Sequence, residues 1–172
     1  LLSCDWQLSK NDGEHQLHGG IHNLSFVNWA IEKAVFDNHS CTVIFSAQLA
    51  DLVDGYPGNR SFTVQYTLKN DNTLTVQYHA STDTPTYINM SNHTYFHLGN
   101  HDETIGEHKL QIRASKYTEL REDHIPVNIA DCANTPFDFS TPCTINEQRK
   151  KYPAHPQLEV GQGYNHGFIL GN

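Results

Sequence analysis

A chain of 172 residues with 11 Lys and Arg against 19 Asp and Glu carries a formal charge of −8 when its 12 His are neutral. An acidic protein without a basic stripe has no footprint for phosphate backbones and gains nothing from an anionic lipid surface, so neither nucleic acid nor membrane is expected as a partner. No apolar run exceeds three residues, as in Val43-Ile44-Phe45, where a spanning helix needs about 20; with 37% hydrophobic and 17% charged residues the chain is globular, and a single domain over residues 1–172 that buries roughly 70% of its unfolded surface is expected.

Along the chain, alternating apolar and polar residues predict strands at Thr42–Leu49, Ser61–Ala80, Thr86–Leu98 and Lys109–Ala114. The second of these is a hairpin. Phe62, Val64, Tyr66 and Leu68 alternate with Ser61, Thr63, Gln65 and Thr67, Leu74, Val76, Tyr78 and Ala80 repeat the pattern, and Lys69-Asn70-Asp71-Asn72 supplies turn residues that tolerate positive φ. Tyr117–Pro142 holds Pro126, Pro136 and Pro142 and little periodicity, which predicts a long surface excursion. Thr144 followed by Glu147 makes a capping box, with Arg149, Lys150 and Lys151 in the last turn, so one short helix is expected before Pro153. Short strands without long helices read as an all-β sandwich or barrel. Cys4, Cys41, Cys132 and Cys143 are widely spread without a CxxC pair, and free buried thiols are expected.

Two clusters could carry chemistry. In Gln16-Leu17-His18-Gly19-Gly20, two glycines beside a His let the backbone turn sharply or approach a small polar ligand. In Asn89-Met90-Ser91-Asn92-His93-Thr94-Tyr95-Phe96-His97-Leu98, an extended strand would put His93, Tyr95 and His97 on one face. Metal ligation competes, because His15, His18 and His22 stand three and four apart and His93 and His97 four apart; their β-forming surroundings disfavour a helical chelate, and no metal is expected. No G-x-S-x-G elbow, P-loop or dinucleotide fingerprint is present. Asp51 with Asp54, and Glu119 with Glu122 and Asp123, read as solvated loop charges rather than a paired acid and base.

Six segments in order carry a resemblance: Leu17-His18-Gly19-Gly20, Asp54-Gly55-Tyr56-Pro57-Gly58-Asn59, Ser91-Asn92-His93-Thr94-Tyr95-Phe96-His97-Leu98, Ile125-Pro126, Thr135-Pro136-Phe137-Asp138-Phe139 and Gly163-Tyr164-Asn165-His166-Gly167-Phe168. Together with Trp29 they resemble the aldose 1-epimerase (galactose mutarotase) family, from about His18 to Leu170. The resemblance implies a large antiparallel β-sandwich of the galactose mutarotase type and a cytoplasmic isomerase that interconverts the α and β anomers of hexoses without a cofactor. It implies His93 as general acid to the ring oxygen and His18 as the residue that binds and polarises the sugar. Asn165, Asn92 and Tyr95 follow as further substrate-binding residues, and a hexose as the small-molecule partner. Imidazole chemistry suits the task, since a group with a pKa near 6.5 gives and recovers a proton at neutral pH. Tyr56, Tyr95, Phe96 and Phe137 are candidates for an aromatic wall against the sugar.

The departures have consequences. Asn165 stands where the family has Asp, His97 where Asn is usual, and Asn23-Leu24 where Gly-Phe is common. The resemblance puts the family's catalytic Glu beyond Asn172, so the segment corresponds to the middle of a member, and no mutarotation above the buffer rate is expected from it alone. The alternative reading is a catalytically impaired sugar-binding domain. A third, a secreted glycoprotein, starts from the sequons at Asn23, Asn38, Asn59, Asn89 and Asn92.

Overall fold

The computed structural model describes residues 5–99 and 104–171, so Cys4 and the first and last residues lie outside the described ones. The architecture is all-β and antiparallel, with two short α-helices and two single 3-10 turns among the described residues. The residues group into two compact units, residues 1–93 and 94–172.

The first unit is built on a four-strand meander. Strands β1 (Ala30–Phe36), β2 (Ser40–Leu49), β3 (Arg60–Lys69) and β4 (Leu74–Thr82) pair in sequence order. The β3–β4 register matches Val64 with Tyr78 and Phe62 with Ala80 as the alternation predicts. Asn72 takes the left-handed conformation in the turn, φ 63°, and its N–H donates to Lys69 O. Ala47, Phe62 and Val64 are buried on the covered face of the sheet.

In the second unit β6 (Ala114–Leu120) is central, flanked by β7 (Pro126–Asp131) and β9 (Phe168–Leu170). A two-strand ladder joins β5 (Lys109–Leu110) to β8 (Cys143–Thr144). Helix α1 (Ile145–Lys151) carries the expected capping box: Glu147 N–H donates to Thr144 Oγ1, Thr144 N–H donates to the Glu147 carboxylate, and Arg149, Lys150 and Lys151 fill the last turn. A second helix, α2 (Pro156–Val160), was not expected; Pro156 occupies its first turn and His155 Nδ1 caps it by accepting from Gln157 N–H.

Three expectations are corrected. Tyr117–Pro142 is no surface excursion: it contains β7 and most of β6, and Tyr117, Cys132, Phe137 and Phe139 are buried. Register shifts at Ala114/Lys116 and Glu119/Leu120 break the strict alternation, which hides the strand from a period-two reading. Thr86–Leu98 is assigned to no strand, although it alternates, because it enters no ladder among the described residues; alternation marks faces but does not supply a partner edge. Lys109–Ala114 is split, its first two residues in β5 and its last opening β6. Of the cysteines, Cys132 is buried, while Cys41 and Cys143 are half-buried free thiols.

The aromatic centre of the second unit is Phe137, fully buried and stacked on Tyr117 with ring centroids 4.0 Å apart and an interplanar angle of 17°. Phe137→Ala is expected to lower unfolding free energy by about 3–5 kcal/mol. Urea unfolding followed by Tyr fluorescence checks this, and a loss below about 1 kcal/mol contradicts it.

Candidate functional site

The chemistry gathers in the first unit at a tight loop. His18, Gly19 and Gly20 all have positive φ, at 55°, 92° and 107°. Two glycines adopt this region freely, whereas the His costs about 1 kcal/mol there and needs its surroundings to hold it. Asn11 supplies part of that hold: its Nδ2 donates to Leu17 O and Gly20 O, each at 3.0 Å, and its Oδ1 accepts from Leu17 N–H. Asn23, buried behind the loop, donates from Nδ2 to Gly20 O at 2.7 Å and accepts from Ser25 N–H. A buried amide so engaged is no surface acceptor for a glycan, which removes Asn23 from the sequons.

Asp54 completes the loop's support and corrects the expectation of a solvated charge. It is buried, and its carboxylate accepts from Ser9 Oγ at 2.6 Å and from the backbone N–H groups of Ile21 and His22 at 2.8 Å each. Burial pushes its pKa up, but these donors outweigh burial and hold the carboxyl below its ordinary value. Its carbonyl accepts from Ser9 N–H and Gln16 Nε2. Asp54 shares a left-handed turn with Gly55, with φ values of 55° and 83°. A side chain at Gly55 would run into the Gln7 backbone, so only glycine fits.

Arg60 and Tyr56 form the adjoining wall. Arg60 is buried, donating from Nη2 to Ala50 O and Val53 O at 3.0 Å each and from Nε to Gly58 O, with its guanidinium 5.3 Å from the centre of the Tyr56 ring. Burial pushes the Tyr56 hydroxyl above its usual value, so it remains a donor, and it bonds to Gln16 Oε1. Sequence reasoning passed over Arg60 because a charged residue at the start of a strand reads as exposed.

These elements enclose a cleft of about 510 Å³ bordered by His18, Tyr56, Arg60, Tyr87, Asn92 and His93, within the range of small-molecule sites. His18 and His93 meet edge to face across it, ring centroids 5.7 Å apart. Asn92 Nδ2 donates to the Tyr78 hydroxyl at 2.7 Å. A larger hollow of about 620 Å³ borders His22, Phe26, Gln48 and Asp54 but neither His18 nor His93. Of the predicted residues, His18, Asn92 and His93 therefore come together, and Tyr56 is the wall candidate found at the cleft.

Tyr95 and Asn165 belong to the second unit, where both are exposed, as is Phe96. Phe137 is core and no wall. Asn165 is held by its neighbour: its N–H donates to His166 Nδ1 at 3.2 Å, which puts the ring proton on Nε2, 3.2 Å from Gln157 Oε1. The same Gln157 oxygen accepts from Leu120 N–H, and its amide donates to Leu120 O. Burial, then His155, pull the His166 pKa below 6.5, so the neutral form is favoured in the fold. Its contribution is present above about pH 6.5 and is lost as pH falls through the lowered value. The Asn165 amide resonance is therefore expected to titrate together with the His166 ring below pH 6.5; an Asn165 shift that tracks no His166 transition contradicts the bond.

Residues 4–172 match the model of the aldose 1-epimerase family. The aldose 1-epimerase of Escherichia coli (strain K12) is 35% identical over 164 residues, covering 95% of this chain and 45% of that protein. The galactose mutarotase of Bos taurus is 31% identical over 168 residues, covering 96% and 45%. The crystal structure of galactose 1-epimerase from Lactobacillus acidophilus NCFM superposes with a TM-score of 0.88 at 32% identity, covering 97% of this chain and 49% of that one, in keeping with the antiparallel β-sandwich class expected. The chain thus spans about half the length of the curated relatives it matches, and over that span it belongs to the aldose 1-epimerase family.

Proposed function

We propose that this protein is an aldose 1-epimerase that interconverts the α and β anomers of hexoses of the glucose and galactose type by acid/base ring opening. The observation that carries the reading is the pair of imidazoles, His18 and His93, facing each other in one cleft. His93 gives a proton to the ring oxygen while a carboxylate base takes the proton of the anomeric hydroxyl. The bond between C1 and the ring oxygen breaks and C1 becomes an aldehyde carbon. Rotation about C1–C2 turns the aldehyde, the ring oxygen attacks its other face, and both protons return. His18 binds and polarises the sugar, Asn92, Tyr95 and Asn165 contribute further hydroxyl contacts, and no cofactor takes part. The cleft's described lining holds no carboxylate, so the reading takes the base from elsewhere in the protein. The two compact units are read as parts of one mutarotase-like domain, in keeping with a family match that runs through both. A cytoplasmic location belongs to the same reading; no described helix is long and apolar enough to cross a membrane.

A sugar-binding domain without turnover is the second reading, favoured by the uncharged Asn165. Polarimetry of freshly dissolved α-glucose or α-galactose tests the first: His93→Asn in the full protein is expected to lower turnover at least ~100-fold, the scale of lost general acid catalysis. Turnover within a few-fold of the parent contradicts the assignment. Calorimetry tests Asn165, since Asn165→Asp is expected to tighten hexose binding by about 1 kcal/mol through a charge-assisted bond. Unchanged or weaker affinity for both glucose and galactose removes that residue from the sugar site.

A further inference from the structure

We propose that Asp54 is a positioning residue for this cleft: its buried carboxylate holds the backbone of Ile21 and His22 and so sets the direction in which His18 presents its imidazole. The inference rests on the mutarotase reading for its kinetic consequence, and on geometry for everything else. Five hydrogen bonds converge on this one residue, three on the carboxylate from Ser9, Ile21 and His22 and two on its carbonyl from Ser9 and Gln16. Two of the carboxylate's donors are main-chain groups immediately after Gly20, so the anion fixes the backbone on the C-terminal side of His18-Gly19-Gly20. Asn11 fixes it on the other side through both polar atoms of Leu17.

The approach is close enough to exclude any side chain between loop and carboxylate. A Cβ on Gly20 would lie 2.5 Å from Asp54 Oδ1. Asp54 itself stands at φ 55°, a left-handed backbone that Asp tolerates better than most L-residues.

Asp54 is not the base of the reaction. Its oxygens are occupied by three donors, and those bonds make the carboxylate a weaker proton acceptor than a free one. It does not border the cleft that holds His18 and His93. The titratable groups near it are His22, with Nδ1 3.8 Å from Oδ1 and its side chain largely exposed, and Tyr56 and Arg60, both of which feel its charge. The main-chain bonds to Ile21 and His22 give Asp54 a direct route to His18, and a cycle with His18 separates that route from the charge felt by Arg60 and Tyr56.

A double-mutant cycle in the full protein tests this. Asp54→Asn keeps the shape but cannot accept from both main-chain donors, and it is expected to lower kcat by about 10- to 100-fold, the scale of a small misplacement of a reacting group. In a His18→Asn background the same change is expected to lower the remaining kcat by less than ~3-fold, because the residue it positions is gone. An equal loss in both backgrounds overturns the proposal, since a merely structural role costs the same with or without His18. Ser9→Ala removes one donor and leaves the carboxylate in place; a loss of about 3-fold that vanishes with His18→Asn is expected if Asp54→Asn folds poorly. An arm independent of turnover uses histidine-labelled protein, in which the His18 and His93 rings give a nuclear Overhauser cross-peak that is expected to be lost in Asp54→Asn. Persistence of that cross-peak with unchanged His18 shifts overturns the positioning role. Its loss in a protein whose parent shows no mutarotation overturns the proposed activity instead and leaves the positioning role standing.

Discussion

A carboxylate buried in a small unit has to find a donor for each oxygen, because an unpaired charge away from water is among the most expensive groups a fold can carry. Asp54 finds them on two separate pieces of chain, Ser9 on one and the consecutive main-chain N–H groups of Ile21 and His22 on the other. That requirement binds three stretches that are distant in sequence. The N-terminal segment must lie over Gly55, the glycine loop must fold back on Asp54, and the turn that carries Asp54 must adopt left-handed backbone to aim its side chain inward. The cleft is bordered by the glycine loop, by Tyr56 and Arg60 just beyond the Asp54 turn, and by the segment ending at His93.

The second unit meets a similar demand with neutral groups. Gln157 exchanges both hydrogen bonds with the main chain of Leu120 where the β6–β7 register slips, and also meets His166. A bulge leaves backbone polar groups without a ladder partner, and an amide side chain from α2 supplies what the missing strand residue would have. His166 passes the arrangement to Asn165 through a ring nitrogen that has to remain unprotonated to accept. The order of this corner therefore depends on pH, whereas the Asp54 corner is set by a group already ionised through the neutral range.

Much of this was legible in the sequence. The Ser61–Ala80 hairpin followed from alternation and its Asn-rich turn, α1 from its capping box, and the family from six short segments in order. Local rules suffice where a segment's partner lies next to it in the chain. They failed where the deciding partner was distant. The alternation in Thr86–Leu98 has no ladder to join among the described residues; the irregular pattern of β6 conceals a central strand; and Phe137, a candidate for the sugar wall by its residue type, stacks in the core. Asp54 was misjudged for the same reason. Nothing within five residues of it shows that Ile21 and His22 would supply its donors, and a carboxylate in a glycine-rich turn is exposed far more often than buried.

The two larger sheets also differ in how they can assemble. In the first unit each strand pairs with the next one along the chain, so β1 to β4 can zip up hairpin by hairpin, closing short loops whose entropic cost is small. In the second, β6 ends at Leu120 and its partner β9 begins at Phe168, although both rings of the Tyr117–Phe137 stack are synthesised well before that strand. During synthesis from the N-terminus, the sheet that carries Arg60 and Phe62 can be complete once Thr82 has left the ribosome, while the edge of β6 facing β9 waits, unpaired, for nearly fifty more residues. That interval adds one open strand edge to the nascent chain, an edge able to pair with a neighbouring molecule before its own partner exists.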